Sequence, residues 1–175
     1  MCYFSNAVHY PKITTDAICH SLKDPKFDNP ELIVGTGMSG TLVLLPTSIQ
    51  SGIPCLPIRK EQDTARSSHE GGSHSSRYLE GERGQYQTIT RYVIIDDIIS
   101  EGRTVKYIRE KMKCWWPDAK CVGIILYQNW NSCCPTNFHC EIPVTELNGD
   151  IEDIRKLMKK QQTGRENNEQ PTNDR

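Results

Sequence analysis

Two acids and a turn of small residues are the part of this sequence best suited to chemistry. Asp96 and Asp97 end the run Arg91-Tyr92-Val93-Ile94-Ile95, and after two further isoleucines comes Ser100-Glu101-Gly102-Arg103-Thr104. A continuous β-branched run predicts a strand buried on both faces, as in a parallel sheet. The pattern from Thr104 to Lys113 predicts a helix. A turn between such a strand and such a helix is where an α/β protein holds a phosphorylated ligand. Amides of residues 100 to 104 are able to point at a phosphate, whose charge the helix dipole favours. The two carboxylates cannot bind that phosphate. They suit neighbouring hydroxyls, or a metal ion held by those hydroxyls. A solvated turn is the other common origin of an Asp-Asp pair after a strand.

A second group precedes it. A strand over Glu31 to Val34 runs into Gly35-Thr36-Gly37-Met38-Ser39-Gly40-Thr41, followed by an apolar helical segment from Leu42 to Gln50. Pro46 falls inside that segment, in its first turns or at a kink. A further strand, Ile53 to Ile58, leads to Arg59 and Lys60. The spacing Gly35-x-Gly37-x-x-Gly40 is also that of a dinucleotide-binding turn, and Arg59-Lys60 in place of an acid would then read as a preference for NADP. That reading leaves the acidic strand and its turn without a purpose.

Taken together, these features resemble the type I phosphoribosyltransferases. Four apolar residues, Asp96-Asp97, two apolar residues and a Gly/Thr turn resemble the motif with which that family binds phosphoribosyl pyrophosphate (PRPP). Arg59-Lys60-Glu61 looks like the Arg-Lys-Glu of its orotate-type members, and Glu80-Gly81 like the end of their mobile loop. The resemblance implies an α/β fold: a central parallel sheet flanked by helices, with a small hood and a long flexible loop. It implies that Asp96 and Asp97 hold the ribose hydroxyls and, through them or water, Mg2+. Ser100, Glu101, Gly102, Arg103 and Thr104 would bind the 5′-phosphate, and Thr36, Gly37, Met38, Ser39 and Gly40 the pyrophosphate, assisted by Arg59 and Lys60. Arg66, His69 and Glu80 would belong to the flexible loop, with Arg66 or His69 taking the part of the family's loop lysine. Tyr127 and Trp130 fall where the family contacts the base; aromatics at a strand end also serve as packing. The implied reaction joins a nucleobase to PRPP and releases pyrophosphate, in a homodimer.

Two departures bear on specificity. Glu101 stands beside the expected phosphate, where like charge opposes binding unless the carboxylate points away or Arg103 compensates. Ser100 stands where 6-oxopurine members carry an acid, which favours a pyrimidine or an adenine-like acceptor. A different class of function shares the fold. Gly102-Arg103-Thr104-Val105 also looks like the loop of pyrimidine-operon attenuator proteins, so a nucleotide- or RNA-binding regulator with little catalysis is the alternative.

The remaining sequence must position these groups. At 175 residues, 36% hydrophobic and with a net charge of −1, the chain suits one domain with its own core and does not ask for nucleic acid as a partner. It shows no signal-peptide pattern, and no apolar run approaches the roughly 20 residues of a membrane helix. Eight cysteines without a Cys-x-x-Cys pair predict free thiols in a reducing, cytoplasmic setting. Cys133, Cys134, His139 and Cys140 cluster loosely enough that zinc is a minor alternative. Thr14 or Thr15 is expected to cap a helix over Asp16 to Leu22, in the segment that the resemblance assigns to a hood. Residues 61–90 are polar and rich in Ser, Gly, Arg and His, as a lid or a solvated insertion would be. Cys121 to Tyr127 predicts another buried strand, and residues 131 to 145 read as irregular. Ile151 to Lys160 is amphipathic, closing a domain over 1–160, and 161–175 reads as a disordered tail.

Overall fold

The computed structural model describes residues 7–8, 10–59, 88–97, 99, 101–127 and 142–147. Five strands form one sheet, with β1 over Leu32–Thr36, β2 over Cys55–Ile58, β3 over Arg91–Asp96, β4 over Lys120–Leu126 and β5 over Val144–Glu146. Their order across the sheet is β2-β1-β3-β4-β5, and all pairs are parallel. Among the described residues the helices that accompany them include α1 over Pro11–Ser21, α2 over Gly37–Ser51 and α3 over Arg103–Trp115. Among the described residues no helix is long and apolar enough to cross a membrane.

The sheet is buried on both faces because its strands offer apolar side chains to both. Ile33, Val93, Ile95 and Ile125 pack on one face with Val43 and Leu44 of α2 and Ala17 and Ile18 of α1. Leu32, Val34, Ile94, Ile124 and Leu126 pack on the other with Val105, Ile108 and Met112 of α3. Consecutive strand residues thus serve opposite layers, as the period of two demands. The helices following β1 and β3 therefore leave the sheet toward opposite sides.

Register aligns the strand ends. Thr36 pairs with Ile58, Asp96 with Leu126, and Leu126 with Glu146. All five strands finish together, so the residues after them share one rim. At the other end Glu31 clasps β3 to β1: it accepts from the Thr90 amide at 2.7 Å and from Arg91 at 2.8 Å. Those bonds hold its carboxyl below the usual range, with the Thr90 amide the largest cause.

Several boundaries differ from expectation. Thr14 and Thr15 do not cap a helix; both lie buried inside α1. Pro11 occupies the first turn, where a missing amide hydrogen costs nothing, and the Thr15 hydroxyl donates back to the Pro11 carbonyl at 2.8 Å. α1 itself packs into the core layer beside α2, so this described part of the supposed hood is a core helix. The helix expected from Leu42 begins at Gly37, and Pro46 lies within it rather than in its first turns. β5 crosses part of the stretch read as irregular, since three edge residues leave too short a pattern to recognise. The amphipathic Ile151 to Lys160, the tail from residue 161 and hence the 1–160 boundary lie outside the described residues, as do the Cys133, Cys134, His139 and Cys140 group.

Phe27 explains a glycine. Asp24 accepts from the Lys26 amide at 3.0 Å, closing a 3-10 turn over Pro25–Phe27 that drops the Phe27 ring, fully buried, onto β4. A Cβ at Gly123 would sit 2.1 Å from Phe27 Cδ1. Gly123→Ala is therefore expected to destabilise the fold by about 3 kcal/mol, the upper range for overpacking, in a denaturant titration; a loss below about 0.5 kcal/mol would show that the ring moves aside freely.

Candidate functional site

The site forms where β1 and β3 lie side by side and their helices diverge. In a doubly wound sheet of order 2-1-3-4-5 this switch point leaves a crevice at the carboxyl ends of the strands. Gly37 follows β1 on one wall of it and Asp97 follows β3 on the other.

Three glycines of the first turn have separate reasons. A Cβ at Gly35 would stand 2.9 Å from the Ile95 carbonyl oxygen and 3.2 Å from Gly40 Cα. A Cβ at Gly40 would meet the Gly35 backbone at 3.2 Å. These two let α2 rise directly off β1 and touch β3. Gly37 turns the corner with φ of 66°, the left-handed region that other residues enter at a cost. The expected loop from Gly35 to Thr41 is thus a sharp corner followed at once by the first turn of α2.

Thr36 is buried, and its hydroxyl donates to the Ile58 carbonyl. Its side chain fixes β1 to β2 and is not available to pyrophosphate. Met38 is exposed, while Ser39 and Gly40 line the crevice side of the first turn, with Ser39 half-buried. Ser39 Oγ donates to Asp96 Oδ1 at 3.4 Å, a long and therefore weak bond that spans 57 residues of chain. Asp96 Oδ1 also accepts from the Asp97 amide at 3.0 Å. Asp96 and Asp97 are both buried, so the pair is no solvated turn. Buried carboxylates require hydrogen bonds, and part of what Asp96 receives comes from the opposite wall.

The second turn matches this one. α2 and α3 both start without a side-chain cap bond and without an acid in the first turn. Their leading amides and positive dipole ends face the same rim, as anion sites do. Gly102 caps α3 with φ of 73° and is buried. Glu101, next to it, is exposed and pairs with Arg103 at 2.7 Å. Arg103 thus answers Glu101 at the surface. An ion pair this exposed adds little stability. Thr104 is half-buried at the second position of α3. Arg59, just past β2, is half-buried, and its carbonyl accepts from the Tyr107 hydroxyl of α3. Nothing in the sequence announced that tie, since Tyr107 reads as one more residue of an amphipathic helix.

Tyr127 corrects an expectation. Its ring is 0% exposed within the core cluster that includes Phe27 and Leu147, so no face remains for stacking on a base. Its hydroxyl donates to the Ser39 carbonyl at 2.8 Å. Burial first, then the charges of Asp97 and Asp96, push its ionisation well above the usual tyrosine range, so the phenol stays a donor. Ser100, Lys60, Arg66, His69, Glu80 and Trp130 lie outside the described residues. Of the expected groups, the structure brings together Gly37, Ser39, Gly40, Asp96, Asp97, Gly102 and Thr104 along one rim, with Arg59 at its β2 end.

No protein-family model and no curated protein matches this sequence. Solved structures do. Orotate phosphoribosyltransferase from Francisella tularensis aligns at 16% identity over 82% of this chain and 69% of its own, with a TM-score of 0.51. Adenine phosphoribosyltransferase from Saccharomyces cerevisiae, solved with an imino-altritol bisphosphate and adenine, aligns at 19% identity over 76% and 75%, with a TM-score of 0.54. Orotate phosphoribosyltransferase from Aeropyrum pernix aligns at 11% over 86% and 78%, also with a TM-score of 0.54. The fold is that of the type I phosphoribosyltransferases. Among the described residues the strand order is β2-β1-β3-β4-β5, and the solved structures named above that share this fold are phosphoribosyltransferases rather than dinucleotide-binding proteins. Arg59 then ends the strand beside the switch point in a phosphoribosyltransferase-like sheet, and needs no reading as an NADP contact.

The glycine roles are separable by stability. Gly35→Ala meets backbone atoms that cannot rotate away and is expected to cost about 3 kcal/mol, whereas Gly37→Ala places a side chain in the left-handed region and is expected to cost about 1 kcal/mol. Denaturation midpoints in the reverse order would contradict the packing assigned to Gly35.

Proposed function

We propose that this chain is a phosphoribosyltransferase, joining a nucleobase to PRPP with release of pyrophosphate. The observation that carries the reading is the pairing of two helix starts with two buried acids at one switch point. PRPP needs that combination: an anion site for the 5′-phosphate, another for the pyrophosphate, and acceptors for the ribose hydroxyls between them. In the reaction the bond from the anomeric carbon to the pyrophosphate oxygen breaks, and its electron pair leaves with pyrophosphate. A base nitrogen supplies the pair for the new bond and later loses its proton. Positive charge builds on the ribose ring and negative charge on the leaving group, as in other oxocarbenium-like displacements.

Each group has a task in that scheme. Asp96 and Asp97 accept from the ribose hydroxyls and fix the ring. Leading amides of α2, at Met38, Ser39 and Gly40, face the charge gathering on pyrophosphate, with Arg59 and Lys60 as cations. Leading amides of α3, with Gly102 and Thr104, hold the 5′-phosphate. Asp96 and Asp97 offer oxygen donors alone, and no cluster of three metal-ligating side chains occurs among the described residues. That set fits Mg2+, which keeps water and substrate oxygens around it rather than a protein cage. When bound it would neutralise charge on the pyrophosphate. Among the described residues the thiols of Cys19 and Cys114 are reduced, which fits a reducing, cytoplasmic setting.

The decisive experiment is pyrophosphate release from PRPP and Mg2+ with a panel of bases. Turnover is expected with orotate, uracil or adenine in preference to hypoxanthine, guanine or xanthine, and Asp97→Asn is expected to lower it about a hundredfold. Nucleotide or RNA binding without turnover on any base would replace the enzyme with the regulatory reading.

A homodimer belongs to the same proposal. α2 has 15 residues and none is charged, yet Met38, Leu42, Leu45 and Ile49 are exposed at a 4-3-4 spacing, Ile49 by 77%. A second copy of this face suits it, since an isologous contact between uncharged helices brings no like charges together. Light scattering is expected to give a dimer for the native chain and a monomer for L45E/I49E. A monomeric native chain would remove this part of the reading.

A further inference from the structure

Among the described residues the Tyr127 phenol is the largest fully buried side chain, and the reaction above gives it no task. A buried phenol takes a hydrogen-bond partner, and this one finds it inside the site. Three bonds close a ring across the crevice. The Tyr127 hydroxyl donates to the Ser39 carbonyl at 2.8 Å, its amide donates to the Asp96 carbonyl at 3.2 Å, and Ser39 Oγ donates to Asp96 Oδ1 at 3.4 Å. The three residues come from α2, the end of β3 and the residue after β4.

The bonds of this ring are unequal. The Ser39 to Asp96 bond is the weak one, and it occupies a carboxylate oxygen that a ribose hydroxyl would claim. Once a sugar takes that oxygen, the bond from Tyr127 is the one of the three that still holds Ser39. We propose that Tyr127 is a positioning residue, whose hydroxyl holds the glycine turn at a fixed distance from the acids so that one ligand spans both. The inference rests on the PRPP reading of the site.

A spanning ligand feels this tie and its fragments do not. Two subsites held in register bind a linked ligand with the advantage of a second, intramolecular contact, and loosening their spacing erodes that advantage alone. The test uses Tyr127→Phe in the full chain, which keeps the ring and removes the hydroxyl. Calorimetry with Mg2+ compares PRPP, pyrophosphate alone and ribose 5-phosphate alone. PRPP affinity is expected to fall about fivefold to tenfold, the effect of one hydrogen bond, with both fragments unchanged and the rise falling in KM rather than in a lost kcat. An unchanged PRPP affinity overturns the proposal. Equal weakening of all three ligands, or a variant that does not fold, overturns it too, because the hydroxyl is then merely structural. A native chain that binds none of the three defeats the PRPP reading itself, which separates that failure from this one.

Discussion

The close packing of Gly35 on Gly40, where a Cβ on either would stand 3.2 Å from the other's backbone, is what the crevice depends on. With no Cβ on either residue, α2 starts against β1 and within contact of the Ile95 carbonyl on β3. A side chain at either position would push the helix start away from the sheet. The Ser39 hydroxyl would then lose Asp96, and the amides of the first turn would no longer share a crevice with the acids. Glycine here is a matter of space more than of conformational freedom; only the corner at Gly37 requires a left-handed backbone.

The sheet supplies the second condition. Its parallel strands bury both faces, so the helices after β1 and β3 are drawn to opposite layers by Val43 and Leu44 on one side and Val105 and Ile108 on the other. Aligned strand ends then leave a gap at the rim rather than a staggered edge. Two helix starts on either side of that gap concentrate positive potential at two points, while Asp96 and Asp97 put negative charge between them. An apolar or uniformly anionic ligand gains nothing from such alternation. The ligand proposed above, a sugar with phosphates at both ends, would need such alternation.

Electrostatics also explains how Glu101 is tolerated. A carboxylate beside a phosphate turn opposes the ligand by like charge, but the exposed Glu101 side chain lies with Arg103 at the surface. The same pair engages Arg103, so in the proposed phosphate turn amides rather than side chains would be the main donors. The two helix starts rest on backbone geometry, which Thr36 on Ile58 and Tyr107 on Arg59 help to fix.

Local pattern determined a good deal here. The unbroken run Tyr92 to Ile95, the acids after it and the glycine turn after β1 identified the parallel sheet and the fold family it resembles, because strands buried on both faces demand those residue types in order. Helix starts were less legible: the α1 cap and the beginning of α2 were misjudged, since Pro11 and a glycine corner set them in place of a capping hydroxyl. Partnerships between distant residues were not legible at all. That Tyr127 would turn inward to Ser39, 88 positions away, instead of outward to a base depends on the pocket that β4, Phe27 and Leu147 close around its ring. An aromatic at a strand end has the same local sequence in both cases; only the packed neighbours decide which side of the rim is left for it.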